Sequence, residues 1–261
     1  MSQPSEMFND GQAYEKLMGR WSRLVGDQFI NWIDVPADKN WLDVGCGTGA
    51  FTEEIIAKCQ PASVAGLDPS PEQIEFAKTR PSLGVANLQV GDATVLPFAA
   101  DTFDVGVMAL VIAFIPDAAK AVTELARVVR PGGLIATYMW EIPEGAPLDP
   151  LFRAFAKLGR VLSLPPNPEV SKAPALETLW TNAGLEDVET TTLHININFK
   201  DFEDFWQTVT LPVGPQGKMI QSLPEELKAA LKDETRAQLP ARPDGRIIYG
   251  CFANAVKGRK N

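Results

Sequence analysis

At 261 residues the chain is long enough to bury a full core, as one large domain or a domain with an appended cap. Its 45% hydrophobic and 22% charged residues fit a soluble globular protein, and no apolar run reaches the roughly 20 residues of a membrane helix. A formal charge of −9 opposes binding to a phosphate backbone, so no nucleic-acid partner is expected, and three scattered cysteines, Cys46, Cys59 and Cys251, argue against a disulfide framework or zinc site.

The start, Met1 to Asp10, is polar and acidic and resembles neither a signal nor a transit peptide, so a reducing cytoplasm is the expected setting. Gln12 to Ile33 then repeats Tyr14, Leu17, Met18, Trp21, Leu24, Val25 and Phe29 at steps of three and four, which predicts one or two helices. Within it, Met18-Gly19-Arg20-Trp21-Ser22 joins bulk, a glycine and a cation; it reads either as a helix docked on a sheet edge or as a segment over a ligand. Trp41-Leu42-Asp43-Val44-Gly45-Cys46-Gly47-Thr48-Gly49 is an apolar strand running into three alternating glycines, followed by a helix over Phe51 to Lys58. Glycines there let the main chain turn sharply and approach a ligand, with the N–H groups of the helix's first turn facing it. A dinucleotide fingerprint runs GxGxxG; here the order is DxGxGxG, and Asp43 suits a cationic ligand better than a pyrophosphate.

Ser63 to Asp68 reads as a buried strand ending in an acid, where a carboxylate can take two ribose hydroxyls or cap the helix from Pro71 to Thr79. Leu88 to Ala93 is the next strand end, and Phe103 to Val111 is a fourth strand, apolar enough to be covered on both faces. Ala119 to Val129 is a helix stopped by Arg130-Pro131-Gly132-Gly133, and Leu134 to Trp140 is a fifth strand. Prolines between Pro143 and Pro174 bracket a helix over Leu151 to Leu162 and read as a lid. A helix over Ala175 to Ala183, a strand over Val188 to Phe199, helices over Asp201 to Thr210 and Pro224 to Leu239, and a strand over Ile247 to Val256 complete the chain, leaving Lys257 to Asn261 as a frayed polar tail.

The glycine run resembles motif I of class I S-adenosylmethionine-dependent methyltransferases, and later landmarks follow in the family's order from Trp41 to Trp140. The resemblance implies a three-layer αβα Rossmann-like fold, with a mostly parallel seven-stranded sheet, an antiparallel seventh strand and a helical cap. Residues 1–35 form an N-terminal helical segment over the cofactor, and residues 36–261 form the methyltransferase domain with cap insertions at about 141–174 and 200–240. It also implies S-adenosylmethionine as cofactor and S-adenosylhomocysteine as product, held by Tyr14, Arg20, Asp43, Gly45, Cys46, Gly47, Asp68, Pro69, Ser70, Gln73, Gly91, Asp92, Ala93, Ala109 and Leu110. In that scheme Asp68 takes the ribose, Asp92 the adenine amino group and Arg20 the methionine carboxylate.

The Asn-Pro-Pro-aromatic run of methyltransferases acting on exocyclic amines is replaced by Ala109 to Pro116, which argues against such an amine. The acids offer no recognisable metal spacing, and neither His194, the sole histidine, nor Glu141 is compelling as a general base. The expected function is methyl transfer to oxygen or carbon of a small organic acceptor, by a monomer or homodimer. The competing readings are a cofactor-binding regulatory protein without transferase activity and a nicotinamide-dependent oxidoreductase, the latter disfavoured by Asp43 and the glycine spacing.

Overall fold

The computed structural model describes residues 19–212, 214–240 and 242–261. In chain order these form α1 (Arg20–Ile33), β1 (Asn40–Val44), α2 (Ala50–Cys59), β2 (Ser63–Asp68), α3 (Pro71–Lys78), β3 (Asn87–Val90), β4 (Phe103–Ala109), α4 (Ala118–Val128), β5 (Val129–Trp140), α5 (Asp149–Lys157), α6 (Ala173–Asn182), β6 (Leu185–Phe199), α7 (Phe202–Val209), α8 (Gly214–Gln221), α9 (Glu225–Gln238) and β7 (Ile247–Lys260).

The seven strands make one sheet in the order β3-β2-β1-β4-β5-β7-β6, parallel through β5, with β7 antiparallel to both β5 and β6. The order reverses between β1 and β4. Connections from those two strands leave in opposite directions and open a crevice at their carboxyl ends.

Alternation along the strands sends side chains to two cores. On β5, Leu134, Ala136, Tyr138 and Trp140 join Trp21, Val25 and Phe29 of α1, Phe51 and Ile55 of α2 and Phe205 of α7. Ile135 and Met139 point the other way, to Val122 and Leu125 of α4 and to Leu176 and Trp180 of α6. The Trp180 indole Nε1 donates to Ile135 O at 3.0 Å, so the buried ring keeps its polar atom satisfied. Caps fix where helices begin: Ser70 accepts from Gln73 N with Pro71 in the first turn, Asp117 accepts from Lys120 N, and Asp201 accepts from Asp204 N. Each such cap contributes about 1 kcal/mol.

The cap has its own apolar centre, in which Leu151, Phe155, Leu162, Ile220 and Leu231 bring α5, α8 and α9 together. Trp206 packs against both this cluster and the sheet core, joining the two.

Three expectations change. The Arg130-Pro131-Gly132-Gly133 run does not separate a helix from a later strand but lies within β5. The residues expected as a frayed tail are strand: Lys257, Gly258 and Arg259 pair with Ala136, Ile135 and Leu134, and Lys260 Nζ donates to Asp101 and to Val129 O. A polar C-terminus reads as solvated from sequence, but β7 is flanked on both sides and its lysines reach acceptors beyond the sheet. Finally, α5 ends at Lys157 rather than Leu162, and α8 had no recognised signal in its glycine- and proline-containing sequence.

Candidate cofactor site

The turn after β1 is built by main-chain bonds. Gly45 N and Cys46 N both donate to Leu67 O, at 2.6 and 3.0 Å, which bends the chain over the end of β2. Gly45 has φ +76°, and a Cβ there would lie 2.5 Å from the Val111 side chain, so only glycine fits. Gly47 has φ +51° with no atom within 4 Å of where its Cβ would stand, which leaves a main-chain cradle facing open space.

That space is a cavity of about 670 Å³ at the carboxyl ends of the strands. Asp43, Gly45, Cys46, Gly47, Asp68, Pro69, Ser70, Gln73, Asp92, Ala93, Ala109 and Leu110 all line it. Gly91 does not: a Cβ there would stand 2.5 Å from Leu67, so it packs against β2. Tyr14 lies outside the described residues, as does the side chain of Arg20. Residues that the sequence did not single out also line the cavity, among them Ser22 of α1, Phe51 of α2, Phe114, Lys120 of α4 and Tyr138 of β5.

Asp43 is 0% exposed, with Oδ2 accepting from Thr52 Oγ1 at 2.7 Å and Oδ1 enclosed without a partner. Burial, with the neighbouring Asp68 adding to it against the Thr52 bond, pushes its carboxyl up to about 7. Asp68 accepts from Ser70 N and Gly47 N, both at 2.9 Å, and burial raises its pKa in spite of them. Ser70 is the N-cap of α3, so Asp68 does not serve that helix as its cap. Each Asp68 oxygen retains a second lone-pair direction for a ligand hydroxyl. Asp92 Oδ1 accepts from Thr94 N and Oγ1, a local turn that also sets the carboxylate at the cavity wall.

Leu110, at the exit of β4, has φ +57° and its N–H donates to Tyr138 O at 2.9 Å. A leucine held in the left-handed region is strained backbone of the sort that collects at ligand sites. The Tyr138 ring lies 4.5 Å from Phe29 and 5.6 Å from Phe51, centroid to centroid. Cys46 turns its sulfur toward Gly66, and burial, then Asp43 and Asp68, push its thiol well up, as suits a packed rather than a nucleophilic cysteine.

The two residues weighed as bases lie elsewhere. Glu141 accepts from Asn254 Nδ2 at 2.7 Å, and that amide also donates to Ser171 O, a bond set that ties the cap to β7. His194 stands exposed on β6 beside Phe252. Neither lines the cavity.

The protein family described as Methyltransferase domain matches residues 42–137, the segment that carries the glycine turn and the strand ends of the cavity. That segment carries a methyltransferase domain of the class I S-adenosylmethionine-dependent type. Among similar proteins is 2-methyl-6-phytyl-1,4-hydroquinone methyltransferase 2 of rice, Oryza sativa subsp. japonica, 38% identical over 44% of this chain and 34% of that enzyme. The O-methyltransferase cnsE of Penicillium expansum is 28% identical over 79% of this chain and 75% of that protein. The fold matches phosphoethanolamine N-methyltransferase 2 of Haemonchus contortus bound to S-adenosyl-L-methionine, with TM-score 0.58 and 17% identity, over 96% of this chain and 56% of that one. The chain thus spans about a third of the length of the rice relative.

The cofactor of the family fits the residues present. It is a sulfonium cation carrying an ammonium, a ribose and an adenine, and the methyltransferase cavity offers Asp43, Asp68, Asp92 and Asp117 against Lys120 among its described lining side chains. The cradle at Gly47 and the unpartnered Oδ1 of Asp43 are the features a cationic nucleoside would complete.

Proposed function

We propose that this protein transfers the methyl group of S-adenosylmethionine to oxygen or carbon of a small, largely apolar organic acceptor. One observation carries the reading: carboxylates from the ends of β1, β2 and β3 converge on one cavity over a glycine turn, a charge pattern that favours a sulfonium and repels a pyrophosphate. The named relatives, which act in their own right as a hydroquinone methyltransferase and an O-methyltransferase, support the acceptor class.

In the proposed arrangement Asp68 takes the ribose hydroxyls, Asp92 and the main chain of Ala93 the adenine edge, and Gly45 to Gly47 the underside of the nucleoside. Pro69, Ser70 and Gln73 wall the ribose end, and Ala109 and Leu110 border the reacting side. The bound cofactor supplies an activated methyl whose leaving group is a neutral thioether. The chain therefore has to hold the acceptor in line and keep water away, and fixed near-attack geometry can supply roughly 7–11 kcal/mol.

At the ends of β4 and β5 the cavity is lined by Ala109, Leu110, Val111, Phe114 and Tyr138, largely apolar, with Asp117 and Lys120 farther along the chain. Such a wall suits an acceptor that needs no base, either a nucleophilic carbon or an oxygen that ionises by itself. A reducing, cytoplasmic setting is part of the proposal and is supported by Cys46, Cys59 and Cys251 being free and buried. Among the described residues no helix is long and apolar enough to cross a membrane.

The test is incubation of the full chain with methyl-labelled S-adenosylmethionine and a panel of phenols, hydroquinones and amines. Label in the phenol or hydroquinone fractions supports the proposal. Label confined to amines, or cofactor binding with no transfer to any member, removes it.

A further inference from the structure

Among the described residues none beyond Tyr138 lines the cavity, so the cap acts on it only through the wall it holds. The loop between β4 and α4 supplies Val111, Phe114, Ile115, Pro116 and Asp117 to that wall. Its first end is fixed by packing, since the Val111 side chain fills the place where a Cβ on Gly45 would stand. Its far end is fixed by one residue, Asn167. Asn167 N donates to Ala113 O at 3.0 Å, and Nδ2 donates to Ile115 O at 2.6 Å and to Pro116 O at 2.9 Å. Both partners of the amide are carbonyls, so its NH2 and not its oxygen must face them.

Asn167 stands in a strap, residues 163–171, that leaves the cap and returns to the sheet. On the cap side Leu162 is buried with Leu151, Phe155 and Leu231, and Ser163 O accepts from Gln216 Nε2 of α8 at 3.0 Å. On the sheet side the fully buried Ser171 accepts from Ile142 N at 3.0 Å through its hydroxyl and from Asn254 Nδ2 at 2.9 Å through its carbonyl. Pro166 and Pro168 restrict the main chain on either side of Asn167. A strap fastened at both ends presents the amide at a set place. We propose that Asn167 is a positioning residue: from the strap it holds the β4–α4 loop in the shape that binds the cofactor. This assignment rests on the methyltransferase reading above. Without the amide the loop opens for part of the time, and the apparent affinity falls with the fraction that stays closed.

The experiment is calorimetry on the full chain with S-adenosylhomocysteine. Asn167→Ala weakens binding about fivefold or more, the loss of two hydrogen bonds carried through the closed fraction of the loop. Asn167→Asp keeps the size of the side chain and the main-chain bond to Ala113 O, but its carboxylate has no donor, so it binds no better than Asn167→Ala. Tyr249→Phe is the matched control: it removes the hydroxyl bond to Pro147 O, 2.6 Å long and away from the strap, and lowers the melting temperature without moving the affinity. Wild-type affinity in Asn167→Ala, recovery in Asn167→Asp, or an equal loss in Tyr249→Phe overturns the assignment. Where Asn167→Ala is too unstable to titrate, Asn167→Asp decides alone, a loss of about fivefold or more supporting the role and wild-type affinity overturning it. Failure of the wild type itself to bind S-adenosylhomocysteine removes the methyltransferase reading instead.

Discussion

Asp43→Asn separates what the buried acid costs the ligand-free protein from what it gives the cofactor. The Asp43 carboxyl is raised from 3.8 to about 7 in the folded chain, chiefly by burial. Between those values the folded state holds a proton that the unfolded state has released, so stability falls as pH rises from about 4 to about 7 and stays low above it. A shift of roughly three units corresponds to ~4 kcal/mol at pH 8. Asparagine carries no charge, and its side-chain oxygen can still accept from Thr52 Oγ1, which bonds Asp43 Oδ2 at 2.7 Å. Its NH2 then occupies the position of the unpartnered Oδ1, at a cost of about 1–3 kcal/mol.

Urea unfolding of both ligand-free proteins from pH 5 to pH 8.5 therefore gives a difference that changes sign. Asp43→Asn is equal or weaker at pH 5 and more stable by roughly 1–3 kcal/mol at pH 8. Cofactor affinity runs the other way: the wild type binds S-adenosylhomocysteine more tightly as pH rises through about 7, where its carboxylate ionises, and the variant loses that slope. Parallel stability profiles for the two proteins would refute the buried, shifted carboxyl. Asp68, whose pKa burial also raises, and the buried thiol of Cys46 are present in both proteins, but each is coupled by charge to Asp43, so neutralising Asp43 also eases their ionisation and adds to the advantage of the variant at high pH.

Replacing Asp68 by alanine removes the bonds from Gly47 N and Ser70 N and the acceptor proposed for the ribose hydroxyls, so cofactor affinity measured by calorimetry drops by roughly 1–3 kcal/mol; an unchanged affinity contradicts the proposed ribose role. Gly47→Ala meets no atom within 4 Å, so urea unfolding shows a loss of only about 1 kcal/mol from the positive φ, while cofactor titration shows at least a tenfold loss as the new methyl enters the cradle. Deleting residues 257–261 strips the pairing with Leu134 to Ala136 and the Lys260 bonds, and the melting temperature falls by several degrees; a frayed tail would leave it unchanged.

The parts of the site that the sequence made legible are those written in backbone chemistry. Gly45 and Gly47 sit where positive φ and close approach demand glycine, and Asp43 and Asp68 end strands whose apolar runs are unambiguous. What stayed hidden depends on which face of an element meets the cavity. Ser22 was inside a run already noted for its cation, but helical periodicity assigns faces only to apolar residues, and a lone serine carries no period. Tyr138 reads as one more core residue of β5, since alternation does not say how near the strand's end a side chain meets open space. Gly91 was carried along with Asp92 by adjacency, yet it turns toward Leu67. The strand character of Lys257 to Lys260 was hidden for a different reason: pairing partners 68 to 125 residues away in sequence leave no local trace.

A crystal structure of the full chain grown with S-adenosylhomocysteine tests the central claim most directly. The account predicts the nucleoside over Gly45 to Gly47, with the ribose hydroxyls within hydrogen-bond distance of Asp68 and the adenine edge at Asp92 and Ala93. A cavity left empty at saturating ligand, or a ligand bound away from Asp68, would contradict it.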